Sequence, residues 1–321
     1  MSEIDPNNKF DFNARADLSM IHSIDNCQIC GHNLAYKLIR KEKIYNEVRL
    51  ESTWVECTNC ASAHIDPYPS PTDLLRYYKT GYVDMCFEGS SDQDASHTLH
   101  YAADYLPTVF ENYGFSLADA GISREQLQSK TILDYGCATG LFMRYLKEVC
   151  LVDPAVIFGM DVESDMLETC RDLALNVFSI DQKDLMPVRA DLITLWNVIE
   201  HIHDPKSAIE SLLDLLAENG EILIETPMFG SLAKKLSDKW SHFIIVEHIN
   251  LFSRQAIKKM FAEAGMECIS ESSFGANLPA MADPVFKKAL DQMAKEKDFG
   301  ATQVLRFRRV GKNSGSESIS A

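Results

Sequence analysis

Ile132-Leu133-Asp134-Tyr135-Gly136-Cys137-Ala138-Thr139-Gly140 is the stretch that decides the fold. Thr131–Tyr135 is short and apolar, as a buried strand requires, and glycines follow where the chain must turn sharply. Beyond the turn, Leu141, Phe142, Tyr145, Leu146 and Val149 recur at helical spacing. Strand, tight turn and helix in this order open a βα unit. Ligands of sheets built from such units sit beyond the carboxyl ends of the strands, at a switch point. Gly136 and Gly140 let the backbone approach a ligand where a side chain would clash.

The alternation continues outward. Val156–Met160 reads as a second strand, with Ser164 placed to cap the helix after it. Asp191–Val198 is a third. Asp204-Pro205 is a helix start, Ile209, Leu212, Leu213 and Leu216 form the apolar stripe, and Asn219-Gly220 is the expected stop. Glu221–Glu225 is the next strand. Ser253 opens a helix that Gly265 closes, and Cys268–Ser272 and Thr302–Val310 can form a closing antiparallel pair. Strands alternating with helices predict an α/β fold with a mostly parallel sheet wrapped by helices.

Upstream, two Cys-x2-Cys knuckles stand at Cys27/Cys30 and Cys57/Cys60, with 26 residues between them. Each holds two thiolates on one turn. Together they make a tetrahedral four-thiolate set suited to structural Zn²⁺, with no open position for catalysis. A redox dithiol or packed thiols are the competing readings, and His32 and His64 are non-ligands because four cysteines fill the shell. The chain therefore divides into a polar arm (1–25), a zinc ribbon (26–69), a helical linker or lid (70–129) rich in tyrosine, a core domain (130–312) and a disordered tail (313–321).

The net charge is −16 over 321 residues. An acidic surface repels phosphate backbones, which disfavours nucleic acid as a partner. No apolar run reaches the length of a membrane helix, and the N-terminus MSEIDPNNKF lacks a signal-peptide pattern, so the expectation is a cytoplasmic protein. Between the knuckles five basic residues meet four acidic ones, which favours folding support or protein docking over nucleic-acid reading for the ribbon.

The glycine turn departs from the dinucleotide fingerprint and resembles motif I of class I S-adenosylmethionine-dependent methyltransferases. Asp134, Gly136 and Gly140 match, and Ala138 replaces the middle glycine. The resemblance implies a Rossmann-like methyltransferase core that binds S-adenosylmethionine. Phe158-Gly159-Met160-Asp161 ends the second strand with an acid placed to accept from both ribose hydroxyls. Asp181 is a candidate for the adenine amino group, and Asn197, near the end of the third strand, completes the cofactor set. The knuckles, the Pro-rich stretch after them, Tyr77-Tyr78 with Tyr82, and Glu247-His248-Ile249-Asn250-Leu251-Phe252-Ser253 resemble bacterial sugar C-methyltransferase-like proteins with an N-terminal zinc ribbon. In that family the histidine of the last segment is the base. The tyrosine that assists it is absent here, since Ile245 and Val246 precede Glu247.

Methyl transfer needs a nucleophile held in line, and a base where the nucleophile is a hydroxyl or a carbon acid. His248 and His201 are the candidate bases, with Glu200 and Glu247 orienting the rings. A bracing role for either histidine is the competing reading. Asn-Val-Ile-Glu-His (197–201) also resembles the metal-binding segment of ubiquinone-biosynthesis and small-RNA 2′-O-methyltransferases. That resemblance implies a second divalent metal on Glu200, His201 and His248. The leading expectation is methyl transfer to a small-molecule acceptor: a sugar, nucleotide-sugar or related biosynthetic intermediate. An RNA- or protein-modifying enzyme reading its target through the ribbon, and a non-catalytic scaffold, are the alternatives. Salt-dependent RNA affinity marks the first, and failure to bind the cofactor marks the second.

Overall fold

The computed structural model describes residues 26–32, 38–45, 48–66, 68–72, 74, 109–244, 248–275 and 284–310. The expected arm and tail, Glu247, and most of the expected linker or lid, including Tyr77, Tyr78 and Tyr82, lie outside the described residues.

The cysteine-bearing segment forms β1 (Leu38–Tyr45), β2 (Val48–Glu56) and β3 (Ala63–Asp66), each antiparallel to the next. Its fourth strand is borrowed: β9 (Asn250–Leu251) pairs antiparallel with β3. A helix over 109–119, α1, and α2 (Arg124–Gln128) lead into the core.

The parallel strands form where the apolar runs fall: β4 (Ile132–Tyr135), β5 (Ile157–Asp161), β6 (Asn176–Ser179), β7 (Ala190–Trp196) and β8 (Leu216–Pro227). The antiparallel pair β10 (Met266–Phe274) and β11 (Thr302–Arg309) completes a seven-stranded sheet ordered β10-β11-β8-β7-β4-β5-β6. From β4 the chain steps outward to β5 and β6, then returns to β7 and β8 on the other side. The switch point is therefore between β4 and β7, where such sheets open a ligand crevice.

Between strands run α3 (Leu141–Glu148), α4 (Ser164–Asp172), α5 (Pro205–Leu215), α6 (Ser231–Leu236) and α7 (Arg254–Glu263); α8 (Pro284–Glu296) precedes β11. Helices cover both faces of the sheet, so Leu133 and Ile193 bury on one face while Ile132 and Leu192 bury on the other. Asp204 caps α5 by accepting from Ser207 N, with Pro205 at the first position, as expected.

Two local expectations are corrected. Glu163 caps α4, accepting from Asp165 N (2.8 Å) and Met166 N (2.9 Å); Ser164 is already helical. A carboxylate there also complements the positive end of the helix. The helix α5 ends at Leu215, before Asn219-Gly220. Leu216 is fully buried and pairs beside Ala190, which draws it into the sheet. Asn219-Gly220 then falls in a bulge, where the register jumps to Leu192↔Glu221. No helix among the described residues is long and apolar enough to cross a membrane.

Candidate active site

The glycine turn needs its glycines. Gly136 has φ +80 and Gly140 φ +77. A Cβ at Gly136 would stand 2.4 Å from Val198 Cγ2, and one at Gly140 2.5 Å from Leu175 Cδ1. Ala138 is also left-handed, at φ +46, which costs a non-glycine residue about 1–2 kcal/mol. Asp161 holds it there. Its Oδ2 accepts from Ala138 N (2.9 Å), and its Oδ1 from Val162 N (2.7 Å) and Glu163 N (3.0 Å). The carboxylate thus fastens the turn after β4 to the end of β5. Burial pushes its pKa up, and the three backbone donors pull it back.

Asp134 lies beneath this turn, 2% exposed, accepting from Thr194 Oγ1 at 2.9 Å. Burial pushes it up to about 7. Asp181 is exposed in the 3-10 turn after β6. Asn197 follows β7 at φ +53, its N–H bonded to Glu225 O (2.8 Å) and its side chain to the Glu225 carboxylate. The seven residues expected at the cofactor therefore gather at the carboxyl ends of four adjacent parallel strands. Sequence reasoning missed the support under Asn197: Ser116 Oγ of α1 donates to Glu225 Oε2 at 2.6 Å. Tyr113, one of the tyrosines of the expected linker, packs its ring edge-on against Trp196 (4.9 Å) and Phe142 (5.0 Å).

The second group stands one turn beyond β7. Ile199–His201 is a single 3-10 turn, and Ile249 N donates to Glu200 O at 3.0 Å, bringing His248 alongside. The His201 and His248 rings meet edge-on at 4.9 Å, and His242 stacks on His248 at 6.1 Å. His248 Nδ1 lies 2.8 Å from His242 O. A carbonyl can only accept, so Nδ1 carries the proton and Nε2 keeps its lone pair. Burial, and then the neighbouring His201, push the His248 pKa well below 6.5, so the ring is neutral at pH 7. Glu200 is fully buried and pushed up to about 8 by that burial. Its Oε2 accepts from Thr226 Oγ1 (2.9 Å), while Oε1, 3.9 Å from His201 Nε2, has no hydrogen-bond partner among the described residues. Glu200, His201 and His248 offer ligand atoms within 4.8 Å of one another, enough to hold a cation.

The four knuckle cysteines also converge, with Cys27–Cys60 sulfurs at 3.6 Å and Cys30–Cys57 at 3.7 Å. Four sulfurs at about 2.3 Å from a tetrahedral Zn²⁺ stand about 3.8 Å apart, so the set fits that ion. Hydrogen bonding within the pair lowers Cys60 to about 5 and raises Cys27.

The family described as "Methyltransferase domain" matches residues 110–271, half of the chain. The chain belongs to this methyltransferase family. The match covers the glycine turn, Asp161, the Glu200–His201 turn and His248, and the domain is of the class I S-adenosylmethionine-dependent type. Among curated proteins, the ubiquinone biosynthesis O-methyltransferase of Vibrio atlanticus is 30% identical over 32% of this chain and 45% of its own length. That of Coxiella burnetii is 28% identical over 31% of this chain and 44% of its own. The chain thus spans less than half the length of the curated relatives it matches. Among solved structures, the magnesium protoporphyrin IX methyltransferase of Synechocystis PCC 6803 with bound S-adenosylhomocysteine is 13% identical, at TM-score 0.48 over 75% of this chain and all of the other. The plantazolicin methyltransferase BpumL, also with S-adenosylhomocysteine, is 15% identical, at TM-score 0.45 over 74% of this chain and 94% of the other.

Proposed function

We propose that the protein transfers a methyl group from S-adenosylmethionine to a small-molecule acceptor, a sugar, nucleotide-sugar or related biosynthetic intermediate, with His248 as general base and a structural Zn²⁺ on the four cysteines. The observation that carries this reading is the fixed tautomer of His248. Its Nδ1–H is spent on His242 O, so Nε2 keeps its lone pair as an acceptor, on a ring that meets His201 just past the carboxyl end of β7. The cofactor supplies an electrophilic methyl on its sulfonium. The chain's part is to hold the adenosyl end through the glycine turn and Asp161, to bring the acceptor's nucleophile in line, and to take its proton on Nε2.

The test separates acceptor classes. Protein is incubated with S-adenosylmethionine tritiated in the methyl group and a cell extract divided into small-molecule, RNA and protein pools. Label is expected in the small-molecule pool and absent with His248→Ala. Label in the RNA or protein pool overturns the acceptor class, and unchanged labelling with His248→Ala removes the histidine from the mechanism.

A second reading rests on Glu200 Oε1, buried and without a hydrogen-bond partner among the described residues. A divalent cation on Glu200, His201 and His248 would satisfy it and lower the pKa of an acceptor hydroxyl. The O-methyl transfer in the names of the curated relatives suits this chemistry. Mg²⁺ or Mn²⁺ restoring activity to protein dialysed against chelator, with zinc content unchanged, favours it; indifference to both ions overturns it.

A further inference from the structure

We infer that His64, Asn250 and Tyr68 are positioning residues that couple the four-cysteine centre to the Glu200–His201 turn, so that the N-terminal module sets the geometry of the catalytic histidines. The inference rests on the proposed roles of the cysteines, His201 and His248.

The link is a buried polar chain. His64 and Asn250 are wholly buried and Tyr68 nearly so. Burying an imidazole, an amide and a phenol is costly unless each is hydrogen-bonded. His64 Nε2 lies 3.1 Å from Cys27 Sγ, and His64 Nδ1 lies 2.6 Å from Asn250 Oδ1. Asn250 Nδ2 donates to Ile202 O and to Tyr68 Oη, both at 2.8 Å. Tyr68 Oη donates to His203 O at 2.9 Å, and the Tyr68 and His203 rings pack edge-on at 5.0 Å. The chain begins on a knuckle sulfur and ends on the two carbonyls that follow His201.

A backbone path runs beside it. Ile65 N of β3 donates to Ile249 O (3.1 Å), and Ile249 N donates to Glu200 O (3.0 Å). Ser253 ties the same segment to the second knuckle, through Oγ to Cys60 O (2.6 Å) and N to Ser62 Oγ (3.0 Å). The segment that carries His248 is thus fixed to the cysteine module on one side and to the Glu200 turn on the other. Apolar side chains would have packed this junction as well. Directional hydrogen bonds add orientation, and a misplacement of about 1 Å at a reacting group can cost about a hundredfold in rate.

The experiment uses the full chain with histidine rings labelled in ¹⁵N. Three samples are compared with wild type: Tyr68→Phe, Asn250→Ala, and wild type stripped of zinc by chelator. Leu127→Ala, which opens a cavity under remote α2, controls for general destabilisation. Both junction variants are expected to keep one zinc per chain and to bind S-adenosylhomocysteine within about twofold of wild type. Their His201 and His248 ring signals are expected to move, and zinc stripping to move the same signals. Methyl transfer to the small-molecule pool is expected to fall about tenfold in the variants. Should Asn250→Ala fail to fold, Tyr68→Phe, which deletes one hydroxyl, carries the test alone. Ring signals that stay in place in Tyr68→Phe, or that match between stripped and zinc-loaded protein, overturn the inference. So does an equal movement in Leu127→Ala. Loss of S-adenosylhomocysteine binding by wild type would instead strike the functional reading, and absence of zinc from it the zinc assignment.

Discussion

The proposed role of His248 as general base rests on one hydrogen bond, from its Nδ1 to His242 O. His248→Ala is expected to lower methyl transfer at least a hundredfold, in line with loss of a general base, while S-adenosylhomocysteine affinity changes by less than about twofold. Single-turnover kinetics beside calorimetry check both. The pH dependence has a definite sign. The folded pKa is depressed below the unfolded 6.5, so the unfolded chain binds the proton first as pH falls. The stability associated with neutral His248 is complete above 6.5 and is lost as pH drops through the lowered folded value. Glu200, raised to about 8, works in the opposite sense, its stability present below 4.5 and lost as pH rises towards 8. The clean measurement is therefore the difference between wild type and His248→Gln in denaturant midpoint from pH 7 to pH 5. The wild type is expected to lose more. The acid limb of turnover is expected below 6.5.

Gly136 shows how the glycine turn works as an element. Its φ of +80 and the 2.4 Å from a built Cβ to Val198 leave no room for a side chain. Gly136→Ala is expected to destabilise the fold by about 2 kcal/mol or more and to weaken S-adenosylhomocysteine binding at least tenfold; chemical unfolding and calorimetry check this. The turn was legible because its signals are local: an apolar strand, two glycines at fixed spacing, and an acid at the end of the next strand. Asp161 fits that pattern, and its bond to Ala138 explains how alanine serves where the motif has glycine. What was not legible depends on distant partners. Nothing near Asn219-Gly220 says that buried Leu216 will end α5 early. Nothing near His64 says that it meets Asn250, 186 residues away. The segment 247–253 stood out as a motif, and among its described residues His248 meets His201, Asn250 lies at the junction, Phe252 is in the core and Ser253 caps α7 while holding Cys60 O. Ser253→Ala is expected to cost about 1–2 kcal/mol in unfolding free energy, through loss of the cap and of the knuckle contact together.

At the scale of the whole molecule, the cysteine module and the catalytic core share structure. Cys27, Ile29 and Cys57 lie in the same buried cluster as Leu133, Phe261 and Phe307, and β9 completes the module's sheet. Removing the proposed zinc is therefore expected to loosen the core as well as the knuckles, and thermal unfolding of stripped protein should begin at a lower temperature in one transition. The proposed cofactor site lies at the carboxyl ends of β4, β5 and β7, with Asp161 as the ribose ligand of S-adenosylmethionine. Calorimetric titration of S-adenosylhomocysteine into wild type and Asp161→Asn tests it most directly. One site per chain in wild type, weakened at least tenfold in the variant while the fold survives, is the result predicted. No heat of binding to folded wild type, or equal affinity in the two proteins, would contradict it.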